Sequence, residues 1–205
     1  TTMVDFTEAG ELGVFIDEEQ LQALEARMNE RGYLDGSAMA TTFNMLRAND
    51  LIWSFFVNNY LLGKEAKPFD LLHWNSDATR MPRRMHLFYL RQMYLHNNLV
   101  KPGVVELAGV PIDLTKVTVP VYLEACREDH IAPFRSVFKA RHNFSGPVRF
   151  LLAGSGHIAG VINPPDANKY QYWRNEDEPW EVEAWLKGAT EHPGSWWPDW
   201  QAWLA

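Results

Sequence analysis

The chain reads as an α/β protein, and three observations predict that class. Its first hundred residues carry apolar side chains at helical spacing. Two short β-rich apolar runs, "VTVPVYLEAC" and "VRFLLAG", then flank one helical stretch. The second run leads into a Gly- and Pro-rich loop, "GSGHIAGVINPP". Strand–helix–strand order in a single unit belongs to a parallel sheet.

The helical region divides into four expected helices. Asp17 is a good N-cap, with Gln20 completing a capping box. Leu21, Leu24 and Met28 follow on one face, and Gly32 is the stop signal. Ser37 suits the cap of a second helix bearing Met39, Phe43 and Leu46. Asn49 or Asp50 would cap a third with Leu51, Phe55, Phe56 and Leu62, ending at Gly63. Pro82 suits the first turn of a fourth, with Met85, Phe88, Tyr89 and Leu95.

Near Pro102 the pattern changes. "VVELAGVPIDL" alternates around a Gly and predicts a short hairpin. Pro133 would open the helix between the two main strands, running to about Arg141. The Trp-rich end reads as short helices. The domain reading is therefore a helical subdomain over 1–101, whose charged entry segment (1–36) suits a mobile lid, and a sheet-bearing part over 102–205. Two main strands are few for a parallel sheet, and the first residue is not Met. Both suggest a piece of a longer protein with further strands upstream.

Composition excludes several functions. The 205 residues are 46% apolar, enough for a substantial core. A net charge of −7 argues against general nucleic-acid binding, which needs a basic face. It leaves room for an anionic substrate held by local arginines. A single cysteine, Cys126, excludes an internal disulfide and fits a reducing, cytosolic setting. No run of 18 apolar residues predicts a membrane span, and the first residues carry no signal-peptide pattern.

The chemistry centres on two residues. Asp129 lies just past the first strand and His157 just past the second. In α/β-hydrolases the nucleophile, the acid and the histidine occur in that order, the last two on loops after late strands. A histidine base must be held in one tautomer, and a carboxylate accepting its Nδ1–H does this. The competing reading makes Asp129 a cap for the helix at Pro133 and His157 a loop filler.

Other candidates are weaker. Cys126 sits at the end of the acid's own strand, without the Gly-flanked strand-to-helix turn of a nucleophile elbow, and reads as a small buried hydrophobe. Ser155 precedes the His157 loop rather than a helix and is rejected too. His73, His86, His96, His142 and His192 show no metal-ligand spacing, so no metal is expected. Arg80, Arg83, Arg84 and Arg91 read first as a solvated helical face and second as a phosphate contact. Trp196, Trp197, Trp200 and Trp203 read as core packing.

Several long strings carry a family resemblance: "RANDLIW" (Arg47 to Trp53), "PFDLLHWNSDAT" (Pro68 to Thr79), "REDHIAP" (Arg127 to Pro133), "GSGHIAGVINPP" (Gly154 to Pro165) and "GSWWPDW" (Gly194 to Trp200). They resemble motifs of polyhydroxyalkanoate synthases, and the Trp-rich ending is most similar to class I enzymes. The resemblance implies the C-terminal part of a catalytic domain with the α/β-hydrolase fold and a mainly helical cap subdomain. It implies that Asp129 is the catalytic acid and His157 the base, with His130 and Trp74 in support. The family nucleophile is a Cys in a G-x-C-x-G elbow. None occurs here, so it is expected upstream and the isolated chain is expected to be inactive.

The implied activity is polymerisation of (R)-3-hydroxyacyl-CoA to polyester with release of CoA. CoA is then part of the substrate, and no separate cofactor is implied. The implied partners are that substrate, the polyester product and a second copy through the cap. The implied location is the cytoplasm, at polyester granules. Alternatives are another α/β-hydrolase, such as an esterase, and a non-catalytic module for dimerisation or granule binding.

Overall fold

A computed structural model describes residues 3–46, 48–65 and 77–205. Trp74, His73, Arg47 and most of the Pro68–Thr79 string lie outside them. The chain forms two compact units: Phe15–Leu90, and Thr1–Val14 together with Arg91–Ala205. The sequence reading drew one boundary, between residues 101 and 102. The N-terminal segment groups with the later chain because its polar atoms bond there. Phe6 N–H donates to the Asn97 side chain at 2.8 Å, and Ser136 Oγ donates to the Asp5 carbonyl. Met3, Phe6, Ala9 and Leu12 are buried.

In the Phe15–Leu90 unit, α1 (Glu18–Arg31) starts and stops where its sequence signals lie. Asp17 accepts the Gln20 backbone N–H at 2.8 Å. The Gln20 side chain turns back to the Asp17 carboxylate at 2.7 Å. Gly32, at φ 77°, closes the helix in the left-handed region. Leu21 and Met28 are buried and Leu24 half-buried. Strand β1 (Tyr33–Leu34) follows.

Helix α2 (Gly36–Leu46) begins before Ser37, which therefore lies inside the helix instead of capping it. A Cβ at Gly36 would run into Ala78, so the chain approach itself requires glycine there. Asn49 and Asp50 do not start a new helix either. Ala48 is already helical, at φ −55°, ψ −37°. Two π-helical segments, Asn49–Trp53 and Phe56–Leu61, carry the chain on to Gly63, which terminates it at φ 61° as expected.

Strand β2 (Met81–Pro82) pairs antiparallel with β1. Pro82 takes the cap position of α3 (Arg83–Tyr89), one residue earlier than expected. The buried residues of α3 are His86 and Leu87; Met85 and Tyr89 are exposed. Packing against α1 selects that face, and the Arg83 guanidinium reaches Glu25 at 3.5 Å. Arg80 lies over the Tyr33 ring and bonds Asp35 at 3.3 Å. Two of the clustered arginines thus already engage carboxylates.

In the second unit, β3 (Glu106–Leu107) and β4 (Val110–Pro111) form the expected hairpin. Its two turn residues, Ala108 and Gly109, have φ of 50° and 80°, as a type I′ turn demands. Strand β5 (Val121–Cys126) leads through α4 (Phe134–Lys139) to β6 (Val148–Ala153). The two strands pair in parallel from Val121↔Val148 to Cys126↔Ala153.

Two further strands were not foreseen. Strand β7 (Gln171–Arg174) pairs antiparallel with β6, and after α5 (Val182–Gly188) strand β8 (Thr190–Pro193) pairs with β7. The sheet order is β5-β6-β7-β8, and α6 (Trp197–Leu204) closes the chain. Both missed strands are four residues long, and every residue of β7 is half-buried, so neither writes an apolar/polar alternation into the sequence.

The core beside the sheet is aromatic. Phe150 packs edge-to-face on Phe138 (4.9 Å, 78°) and on Trp185 (4.9 Å, 83°). Trp185, absent from the expected stripe, is completely buried. Trp196, Trp197 and Trp203 are only half-buried, and Trp200 is exposed. The C-terminal tryptophans are therefore not the core that the sequence suggested. Among the described residues, no helix is long and apolar enough to cross a membrane.

Trp185→Ala in the intact protein should cost about 3–5 kcal/mol of stability, the usual range for an aromatic core truncation. Trp200→Ala should stay within about 0.5 kcal/mol. Denaturant midpoints at constant m-value check both.

Candidate active site

The parallel pairing carries β5 and β6 to the same sheet end, and their following loops are stitched together there. Arg127 N–H donates to the Ala153 carbonyl at 2.8 Å, and Glu128 N–H to the Ser155 carbonyl at 3.0 Å. Asp129 and His157 project from these two loops. Asp129 Oδ2 and His157 Nδ1 stand 2.7 Å apart.

The carboxylate has two tasks. Asp129 Oδ1 accepts the backbone N–H groups of Ile131 (2.8 Å) and Ala132 (2.9 Å), which fixes its plane in the turn before α4. Its other oxygen takes the histidine. The turn-forming bonds and the bond to the histidine thus use different oxygens of one carboxylate. The Asp129 side chain is fully buried, whereas 35% of the His157 side chain is open to solvent. Burial pushes the Asp129 carboxyl upward. The bonds from His157, Ala132 and Ile131, with the His157 charge, outweigh this and hold it below its ordinary value. A carboxylate that stays ionised keeps Nδ1 as donor and leaves Nε2 to receive a proton.

The His157 loop is shaped by glycine. At Gly160 any Cβ would collide with Cys126 Sγ and sit 2.8 Å from the Gly154 carbonyl. Gly154 donates its N–H to Gln171 at 2.7 Å. Ser155, at φ 75°, is held in the left-handed region, which is strained for a residue with a side chain.

Cys126 lies beneath this loop with no exposed surface. Its thiol donates to Glu124 Oε1 at 3.1 Å. Burial pushes the thiol far above its ordinary value, and the Glu124 and Asp129 charges add to that. Such a thiol is a poor source of thiolate. Glu124, which the sequence did not single out, is buried too, and its carboxyl is pushed up by that burial.

His130 follows Asp129 in the same turn and is half-buried. His142 stacks on Trp180 and His192 on Tyr172. His86 is buried, with a proton affinity lowered by desolvation. Among the described residues no three His, Cys, Asp or Glu side chains are grouped to hold a metal.

The sequence also missed what restrains the His157 loop. The Trp196 indole N–H donates to the Gly160 carbonyl at 3.0 Å, and that of Trp197 to the Val161 carbonyl at 2.9 Å. Buried Asn163 ties its end to the Lys169 carbonyl at 3.0 Å. The Trp pattern was visible as a string, but nothing in it shows that the indole N–H groups face a loop about 36 residues earlier.

The structure thus defines a mixed α/β protein with an acid–histidine pair on the loops after two neighbouring parallel strands. The chain is 56% identical over 204 residues to the poly(3-hydroxyalkanoate) polymerase subunit PhaC of Rhizobium meliloti. It is 57% identical over 205 residues to the poly(3-hydroxyalkanoate) polymerase of Methylorubrum extorquens, and 47% over 210 residues to the PhaC subunit of Cupriavidus necator. Each alignment covers 100% of this chain and 33%, 34% and 36% of the respective relative. No protein-family profile matches it. Along its full length the chain is similar to part of these poly(3-hydroxyalkanoate) polymerases, and it spans about a third of the length of the relatives it matches.

In the intact protein, Cys126 should resist alkylation under native conditions and react once denatured, as read by peptide mass mapping. Cys126→Ala should lose about 1–2 kcal/mol of stability. Asp129 should also shape the acid limb of stability. Its depressed value contributes stability fully present above the ordinary carboxyl value of 3.8 and lost as pH falls through the lower folded value. The difference in urea midpoint between wild type and Asp129→Asn should therefore shrink below about pH 4.

Proposed function

We propose that this chain is part of an acyltransferase that polymerises (R)-3-hydroxyacyl-CoA into polyhydroxyalkanoate with release of CoA. The 2.7 Å contact between His157 and Asp129, in a chain 56% identical to a named polymerase, carries this reading. The sheet then belongs to an α/β-hydrolase fold, and a Cys nucleophile comes from the remaining two-thirds of the protein.

In this mechanism His157 Nε2 takes the proton of the nucleophilic thiol while Asp129 steadies the imidazole. The thiolate attacks the thioester carbonyl of the substrate. The CoA sulfur leaves and takes the proton from His157, and the acyl group stays on the Cys. His157 next removes the proton of a hydroxyacyl hydroxyl, whose oxygen attacks the acyl carbonyl held on the Cys; the ester forms, the Cys thioester breaks, and the Cys sulfur takes the proton back from His157. CoA enters and departs with the substrate, and no resident metal or redox cofactor is assigned. His130 supports Asp129 from the adjacent position, and Trp74 is assigned to the cap. The helical region serves as cap and as the contact for a second copy. The enzyme works in the cytoplasm at polyester granules.

The test uses the full-length enzyme and follows CoA release with a thiol reagent. His157→Ala should remove turnover. Asp129→Asn should lower kcat by roughly 10³–10⁴-fold, the scale for loss of an orienting carboxylate. Cys126→Ala should retain turnover. Hydrolysis of simple esters without turnover of hydroxyacyl-CoA would show an esterase instead, and full activity in His157→Ala would overturn the reading.

A further inference from the structure

The bonds that hold the base come from the far end of the chain. Trp196, the cap residue of α6, and Trp197, its first residue, donate to consecutive carbonyls, Gly160 and Val161, at 3.0 and 2.9 Å. Those carbonyls lie three and four residues beyond His157. Between them the backbone folds tightly, with Gly160 N–H bonded to the Gly156 carbonyl at 2.9 Å and Ile162 N–H to Ile158 at the same distance. A force on Gly160 is therefore passed to the turn that carries the imidazole.

The anchor is itself fixed. Ser195 Oγ accepts the Trp197 backbone N–H at 3.1 Å. In the first turn of α6, buried Asp199 accepts from Tyr122 Oη on β5 at 2.8 Å and from Arg149 on β6 at 3.1 Å, and it pairs with Arg174 on β7. One carboxylate thus fastens the helix to three strands of the sheet. The Trp196 ring stacks on Tyr122 at 6.2 Å. Both tryptophans are half-buried, and Trp196 also borders the Cys126 cluster.

We infer that Trp196 and Trp197 are positioning residues for catalysis, holding the His157 loop by their indole N–H groups so that the imidazole stays aligned with Asp129. This rests on the polymerase reading for its kinetic consequence, but not for its structural one. Asp129 fixes one end of the imidazole. The tethers fix the backbone that delivers it, and misplacement of a reacting group by about 1 Å can cost about a hundredfold in rate.

The variants are Trp196→Phe and Trp197→Phe in the full-length enzyme, with Trp180→Phe as control. Trp180 is exposed and stacks on His142. Each tether variant should lower kcat about ten- to a hundredfold with KM nearly unchanged. The amides of residues 154–165 should exchange faster by hydrogen-exchange mass spectrometry, and the control should change neither. Should a Phe variant fail to fold, the benzothienyl analogue of tryptophan at the same position keeps the shape and replaces only the N–H by sulfur. It should reproduce the loss of kcat, and native tryptophan reintroduced by the same route should restore it. Unchanged kcat and unchanged exchange in folded variants would overturn the inference. If the wild type releases no CoA, the polymerase reading fails. The loop exchange rates then decide the tether on their own, faster exchange supporting it and unchanged exchange refuting it.

Discussion

The parallel pairing of Val121–Cys126 with Val148–Ala153 is the constraint on which the site depends. With Cys126 opposite Ala153, both strands end level, and the residues that follow leave the sheet side by side. A one-residue slip would turn every side chain of one strand to the opposite face. It would also separate the Arg127–Ala153 and Glu128–Ser155 bonds that join the two loops. The position of Asp129 relative to His157 is thus a consequence of strand register before it is a matter of side-chain chemistry.

Register in turn depends on what the strands pack against. Phe150 and Leu152 belong to the buried set, with the Phe138 and Trp185 rings against Phe150. On the other side Leu151 and Ala153 join Cys126 in a small cluster bordered by Tyr122, Val161, Tyr172 and Trp196. That second cluster is where structure and candidate chemistry meet. It contains the residue over which Gly160 passes and the ring whose N–H holds the Gly160 carbonyl. A sulfur-sized side chain at 126 and no side chain at 160 are two halves of one fit.

Much of this was legible in the sequence because it is local. Asp17 and Gly32 bound α1 through caps that need only neighbouring residues. Gly109 takes up the left-handed conformation readily and so marks the hairpin turn locally, while Ala108 beside it is held at φ 50°. Asp129 and His157 were found because each follows an apolar run in a known order. What stayed hidden is non-local. Strands β7 and β8 exist because β6 offers an edge to pair with, not because "QYWR" or "TEHP" prefers extension. The buried face of α3 was misread because α1 chooses it, and the tryptophans were misread because half-burial and an indole bond to a distant carbonyl leave no periodic trace. Trp74 falls outside the described residues, so its assignment rests on resemblance alone.

The central claim is that Asp129 fixes His157 as an Nδ1–H donor. The most direct measurement is the proton spectrum of the intact protein with ¹⁵N-labelled histidine. A low-field proton bonded to the His157 Nδ1 nitrogen should be present in the wild type and in Cys126→Ala. It should disappear in Asp129→Asn while the protein remains folded. A wild-type His157 whose only ring proton resides on Nε2, or a low-field signal that survives Asp129→Asn, would contradict the account.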